Sequence, residues 1–234
     1  MKATSRIQTP ANSQVERYRR YCKKAEIIHH FAENLAQTLG VFHGINENGL
    51  KLAIEGEPVV ALGTILFDQL QLMIIRICAL CDKGSRDDDA SLFELVAGLS
   101  DPDFQRFLIT KEERWMQSVD RHRTGTIGAI PRYTKKMQIR WSSLQREQEA
   151  LDRIKHYRNK VLAHATTGLD PGRKVLIKDI WRVSRLVLSV SKYVRLLLER
   201  EEWDYLKHSR DAREHGKALI QALHRDHRAQ DSIG

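Results

Sequence analysis

The chain has 234 residues, with 39 Lys and Arg against 30 Asp and Glu for a formal charge of +9; it is 41% hydrophobic and holds only 5 Pro and 13 Gly. That is enough apolar material for one full core or two small ones, and it excludes a disordered, collagen-like or linker chain. Three cysteines, Cys22, Cys78 and Cys81, cannot build a disulfide framework. No apolar leader follows the first residues, and the greasiest stretch, 59–81, is interrupted by Asp68, Gln69, Gln71 and Arg76, so a cytoplasmic protein without a membrane span is expected.

Charge divides the chain. Residues 1–120 carry 14 basic and 17 acidic side chains, whereas residues 121–234 carry 25 and 13. An asymmetry of that size marks either a surface that faces a polyanion or a basic tail that is merely solvated.

Helical periodicity dominates and no alternating β-branched run is present, so the expected class is all-α, a bundle of five to six helices. Residues 1–12 are expected to be a flexible N-terminus, 13–203 the bundle, and 204–234 a charged, loosely attached helix or tail. A first helix should start at Asn12 or Ser13 and end at Gly40, with Val15, Tyr18, Cys22, Ile27, Phe31 and Leu35 near one face. Pro58 then suits the first turn of a second helix reaching Asp82, apolar nearly all round and so central. The run Asp87, Asp88, Asp89 precedes a short helix over 91–99, where negative charge suits a helix start better than a metal site. A fourth helix follows Pro102 to about His122, and Gly125, Gly128 and Pro131 punctuate a loop over 124–131.

A long polar helix is expected over 135–165 and a strongly amphipathic one over 174–202. The latter sets Ile180, Val183, Val187, Val190, Val194 and Leu197 on one stripe and Lys178, Arg182, Arg185 and Lys192 on an exposed basic face. Together with the loop 121–132, Arg132, Tyr133, Lys135, Lys136, Arg140 and Trp141, the cations Lys178, Arg182 and Arg185 form a candidate RNA track.

Few groupings carry chemistry. Cys78 and Cys81 have dithiol spacing, but they sit inside an apolar helix with no second pair, which reads as core packing. His29 and His30 are adjacent and do not make an i, i+4 metal pair. No phosphate loop, nucleophile elbow or dinucleotide fingerprint is present, and neither metal nor cofactor is expected.

What remains is Arg158-Asn159-Lys160-Val161-Leu162-Ala163-His164 at the end of the long polar helix. A second Arg-to-His match, Arg210 to His215, lies in a polar stretch with only Ala212 as an apolar residue between its ends. The first motif resembles the Arg-x(4–6)-His signature of the HEPN superfamily. The order of a greasy helix ending in Leu80-Cys81-Asp82, a small Ser91-Leu92-led helix, a linker helix, the motif helix and a long final helix resembles its abortive-infection U-type subgroup over residues 15–200. That resemblance implies an all-α bundle, a homodimer, and a metal-independent endoribonuclease of a toxin or antiviral-defence system, with an antitoxin as a further partner. The toxin subgroup paired with a nucleotidyltransferase has a Tyr two residues beyond the His; here Thr166 stands there.

The residue types suit the chemistry. RNA cleavage through its own 2′-hydroxyl needs a base, an acid and positive charge on the phosphorane, and it does not require a metal. An imidazole such as His164 serves as base or acid, the Arg158 fork suits non-bridging oxygens, and Asn159 could hold the phosphate or orient the imidazole. On an ideal helix residues six apart point about 120° apart, so two motifs facing each other across a dimer axis make a better site than one. His156, Tyr157 and Arg76 are further candidates for that cleft. Arg158 reads alternatively as a helix arginine pairing with Asp152, and Arg76 as an ion-pair partner of Asp68 or Asp82. The rival reading of the whole chain is a non-catalytic helical module that binds RNA or protein with the same basic face.

Overall fold

A computed structural model of the protein describes residues 10–49, 57–83, 89–118, 129–162, 174–200 and 203–231. Among these the fold is all-helical, with eight α-helices and one π-helical turn and no strand. The helices are α1 (Pro10–Gly49), α2 (Glu57–Cys81), α3 (Leu92–Ser100), α4 (Pro102–Ser118), α5 (Ala129–Arg146), α6 (Gln148–Tyr157), α7 (Ile177–Glu199) and α8 (Tyr205–Asp231), and the π turn is Arg158–Leu162.

Helix α7 is the hub, packing on α1, α2, α3, α5, α6 and α8. Its expected stripe is wholly buried: Ile180, Val183, Val187, Val190, Val194 and Leu197. The helix is capped by Arg200, which has a left-handed φ of 62° and makes a 2.7 Å ion pair to the buried Glu112 of α4.

Helix α1 is the spine, 40 residues and so about 60 Å long. It buries Tyr21, Ala25, Ile28, Ala32, Leu35, Leu39 and Phe42, an alternation of four and three that keeps one seam inward. The face expected from sequence is partly wrong: Val15, Ile27 and Phe31 are exposed, and small alanines take the inward positions instead. Gly40 does not end the helix either. It is there because α8 runs so close that a Cβ on Gly40 would lie 2.1 Å from the Ser209 carbonyl oxygen, and one on Gly44 2.2 Å from that of Arg213.

Those contacts also correct the expectation of a loosely attached tail. Tyr205 of α8 meets His29 at 2.9 Å, Ala212 and Gly216 meet Gly40 and Gly44, and Ile220 packs with Ile45 and Leu62. Residue numbers rise together on the two helices, so α8 runs parallel to α1 in close backbone contact. Gly44→Leu is therefore expected to push α8 aside at a cost of about 1–3 kcal/mol, read as a lowered urea midpoint with protease cleavage appearing within α8.

Helix α2 begins with Pro58 in its first turn and ends one residue before Asp82, close to expectation. It is not central. Met73, Ile74, Ile77, Cys78, Leu80 and Cys81 are buried, but Ile65, Phe67, Leu72 and Ile75 face outward. By length and composition the stretch Leu62–Cys81 could cross a bilayer, and 33% of it is buried inside the fold. Burial pushes the Cys78 thiol up to about 11 and that of Cys81 to about 12, so both stay protonated packing groups.

Helix α3 starts where Ser91 caps it, its hydroxyl oxygen accepting from the Phe93 N–H at 3.2 Å. Asp87 and Asp88 lie outside the described residues. Helix α4 carries Pro102 at its first position, and Asp101 accepts from the Asp103 N–H at 3.0 Å. The expected 135–165 helix is two helices. It begins earlier, with Pro131 tolerated in the first turn of α5, and it breaks at Glu147, whose carboxylate bonds Arg182 at 3.0 Å rather than capping α6. This division, together with a full α8, is why eight α-helices stand among the described residues where five or six were expected.

Candidate functional site

The helix carrying the motif changes character at Arg158. There the α-helical ladder of α6 widens into the π turn Arg158–Leu162, so the motif does not continue as the straight α-helix expected from sequence. Asn159 is in this turn; His164 lies outside the described residues, as do Ala163 and Thr166.

The Arg158 side chain is held on two sides. Its Nη1 donates to the Asp82 carboxylate at the end of α2, and its Nε and Nη2 donate to the side-chain Oδ1 of Asn159 at 3.0 and 2.9 Å. Asp82 is in turn bridged by Lys155 at 3.1 Å, and its backbone carbonyl accepts from Ser91 Oγ at 2.6 Å. A carboxylate at a helix C-terminus is opposed by the helix dipole, and two cations, Lys155 from α6 and Arg158 from the π turn, offset that. Burial is the largest single effect on Arg158 and opposes its charge, but the Asp82 hydrogen bond together with the fields of Cys78 and Asp82 outweighs it and raises the guanidinium above its ordinary value. The Arg158–Asp152 pairing weighed from sequence does not form; Asp152 accepts instead from Gln148 at 2.7 Å. A guanidinium has five N–H donors, so with three engaged Arg158 keeps two for an incoming oxyanion.

Arg76 pairs with neither Asp68 nor Asp82. It donates to the Asn34 carbonyl at 2.8 Å and to the Thr38 hydroxyl, tying α2 to α1, and burial lowers its pKa. His156 is half-buried, and the half-buried Tyr157 packs on the main core.

The candidate RNA track is split by the fold. Arg132, Tyr133 and Lys136 form a local group, with the Arg132 guanidinium 5.1 Å and the Lys136 ammonium 6.0 Å from the Tyr133 ring, itself stacked on Tyr193. Lys135 is exposed beside them, residues 121–128 lie outside the described residues, and Trp141 is half-buried edge-on to Phe93. By contrast Arg140, Lys178, Arg182 and Arg185 come together in one groove of about 1220 Å³ between α1, α5, α7 and α8. Sequence reading missed that Arg146, Arg210 and Arg213 line it too, because they arrive from separate helices. Trp181 and His43 meet at the groove with ring centroids 3.7 Å apart and planes tilted by 30°; burial, aided by Arg213 and Arg185, lowers the His43 pKa against the pull of Glu47.

Arg210, from the second Arg-to-His match, lines this groove, whereas His215 is exposed on α8 and does not line it. His29 is buried against Tyr205 and Trp203, while His30 is exposed. Among the described residues no group of three or more His, Cys, Asp or Glu is placed to hold a metal ion. Compared with protein-family models, with curated proteins and with solved structures, the chain matches none.

Proposed function

We propose that this chain is a HEPN-type endoribonuclease that cuts RNA without a metal ion, acts in the cytoplasm as a homodimer, and serves a toxin or antiviral-defence system in which an antitoxin restrains it. The observation that carries the reading is the setting of Arg158. A motif arginine held in place by Asp82 and Asn159, in a widened turn and with two N–H donors to spare, suits a phosphate that must be gripped without reorganisation.

In this mechanism His164 takes the proton from the 2′-hydroxyl, and the 2′-oxygen attacks the adjacent phosphorus. Arg158 meets the charge that builds on the non-bridging oxygens. The P–O5′ bond breaks, and the leaving oxygen takes its proton from His164 of the second copy, giving a 2′,3′-cyclic phosphate and a 5′-hydroxyl. Dimerisation supplies the second acid–base group that one motif lacks.

The test is incubation of the purified protein with RNA in EDTA, with the product ends identified by mass. Cyclic phosphate and 5′-hydroxyl termini support the reading, and loss of cleavage in the chelator defeats it. The second reading, a helical module that binds RNA without cutting it, is favoured by one observation: Arg158 does not line the groove where the unpaired cations gather. Binding with no cleavage under any condition would select it.

A further inference from the structure

The groove between α1, α5, α7 and α8 gathers seven Lys and Arg side chains against two carboxylates, Glu147 and Asp204. Arg182 is paired with Glu147 at 3.0 Å, and Arg213 with Glu47. The other five, Arg140, Arg146, Lys178, Arg185 and Arg210, have no carboxylate within ion-pair distance among the described residues. Five uncompensated cations around one concavity repel one another, and a bound polyanion relieves that repulsion.

We propose that this groove binds the sugar–phosphate backbone of single-stranded RNA, with those five side chains taking phosphates. The choice of RNA among polyanions rests on the function proposed above; the groove itself rests on its geometry. Four of the five cations are arginines, whose planar forks match phosphate oxygens in a way a lysine point charge does not. A volume of about 1220 Å³ is larger than a compact small-molecule pocket, and the groove is open to solvent. Lys178 and Arg185 lie seven residues and so about 10.5 Å apart along α7, and a strand laid along that helix meets both.

Helix α8 is a structural part of this site. It delivers Arg210 because Gly40 and Gly44 let it settle directly on α1. The C-terminal helix thereby gains a binding task, and the RNA would be read by backbone charge rather than by base identity.

The experiment is fluorescence anisotropy with a labelled 12-residue oligouridine bearing 2′-O-methyl groups, which cannot be cut, titrated over a range of NaCl. With five phosphates engaged, the log–log salt slope should lie near −3.5, about 0.7 for each contact on a single strand. The triple variant Lys178→Gln, Arg185→Gln, Arg210→Gln should bind about tenfold or more weakly, with a slope shallower by about 2. Its thermal melt should match the parent, which separates lost binding from lost folding. The triple variant Arg19→Gln, Lys23→Gln, Arg106→Gln, elsewhere on the surface, should keep the parent slope. No binding by the parent, an unchanged slope in the groove variant, or equal competition by polyglutamate would each overturn the proposal. Because the strand is uncleavable, an absence of nuclease activity would leave these slopes in place, while normal cleavage with unchanged slopes would remove the groove alone.

Discussion

Replacing His164 by alanine should lower the rate of RNA cleavage by about 10²–10⁴-fold, the usual worth of a positioned acid–base group, with little change in RNA affinity. In the proposed reaction the imidazole acts on protons that move in the transition state, so its loss should fall on the chemical step and leave ground-state binding alone. Arg158→Ala should differ in kind. In the proposed reaction its guanidinium meets the phosphate before as well as during the transition state, so both rate and affinity should fall, and the Asp82 carboxylate would be left facing Lys155 only. His215→Ala is the control. It belongs to the other Arg-to-His match, is exposed on α8 outside the groove lining, and should cleave as the parent does. Single-turnover rates alongside binding constants would separate the three patterns, and parental cleavage by His164→Ala would end the assignment.

Arg153→Ala should destabilise the fold by about 3 kcal/mol, a large share of what holds a single domain together. Asp179 is buried at 3% exposure in the first turn of α7, and Arg153 of α6 is its partner, with Nη2 2.8 Å and Nε 3.0 Å from the same carboxylate oxygen. Removing the cation strands a buried charge. The pair also fixes α6 against α7, and α6 carries Lys155 and leads into the π turn, so the Arg158 setting depends on it. Replacing both partners, Arg153→Met with Asp179→Leu, should recover most of the loss, because an apolar pair carries no desolvation penalty. Urea unfolding of the two variants would show the contrast, and equal losses in both would contradict this account of the pair.

Parts of the fold were legible because one local cause sufficed. The α7 stripe repeats apolar residues at helical spacing, and Pro58 suits a first turn; each acts within its own helix. What escaped depends on partners far along the chain. Gly40 reads as a helix stop until α8 is seen lying on it, since a glycine's lack of a Cβ serves a stop and a close approach equally well. The inward face of α8 is Tyr205, Ala212, Gly216 and Ile220, too small a set of apolar groups to stand out among its charges. The long helix breaks at Glu147, whose carboxylate meets Arg182, 35 residues on, a contact that nothing local announces. The site divides the same way. The basic face of α7 was visible as a periodic row, but Arg146 and Arg210 join it only through packing, and nothing near Arg158 in sequence points to Asp82, 76 residues before it.

The central claim is that the 2′-hydroxyl of the RNA is the nucleophile, and its most direct test is a substrate altered at one atom. Once a cleavage position in a short RNA is mapped, the same strand is made with a single 2′-deoxy nucleotide on the 5′ side of that bond and cut in EDTA. The account predicts that cleavage stops at that bond and continues at others, while binding is retained. Cleavage of the deoxy-substituted bond at the parental rate would show that the nucleophile comes from elsewhere and would contradict the account.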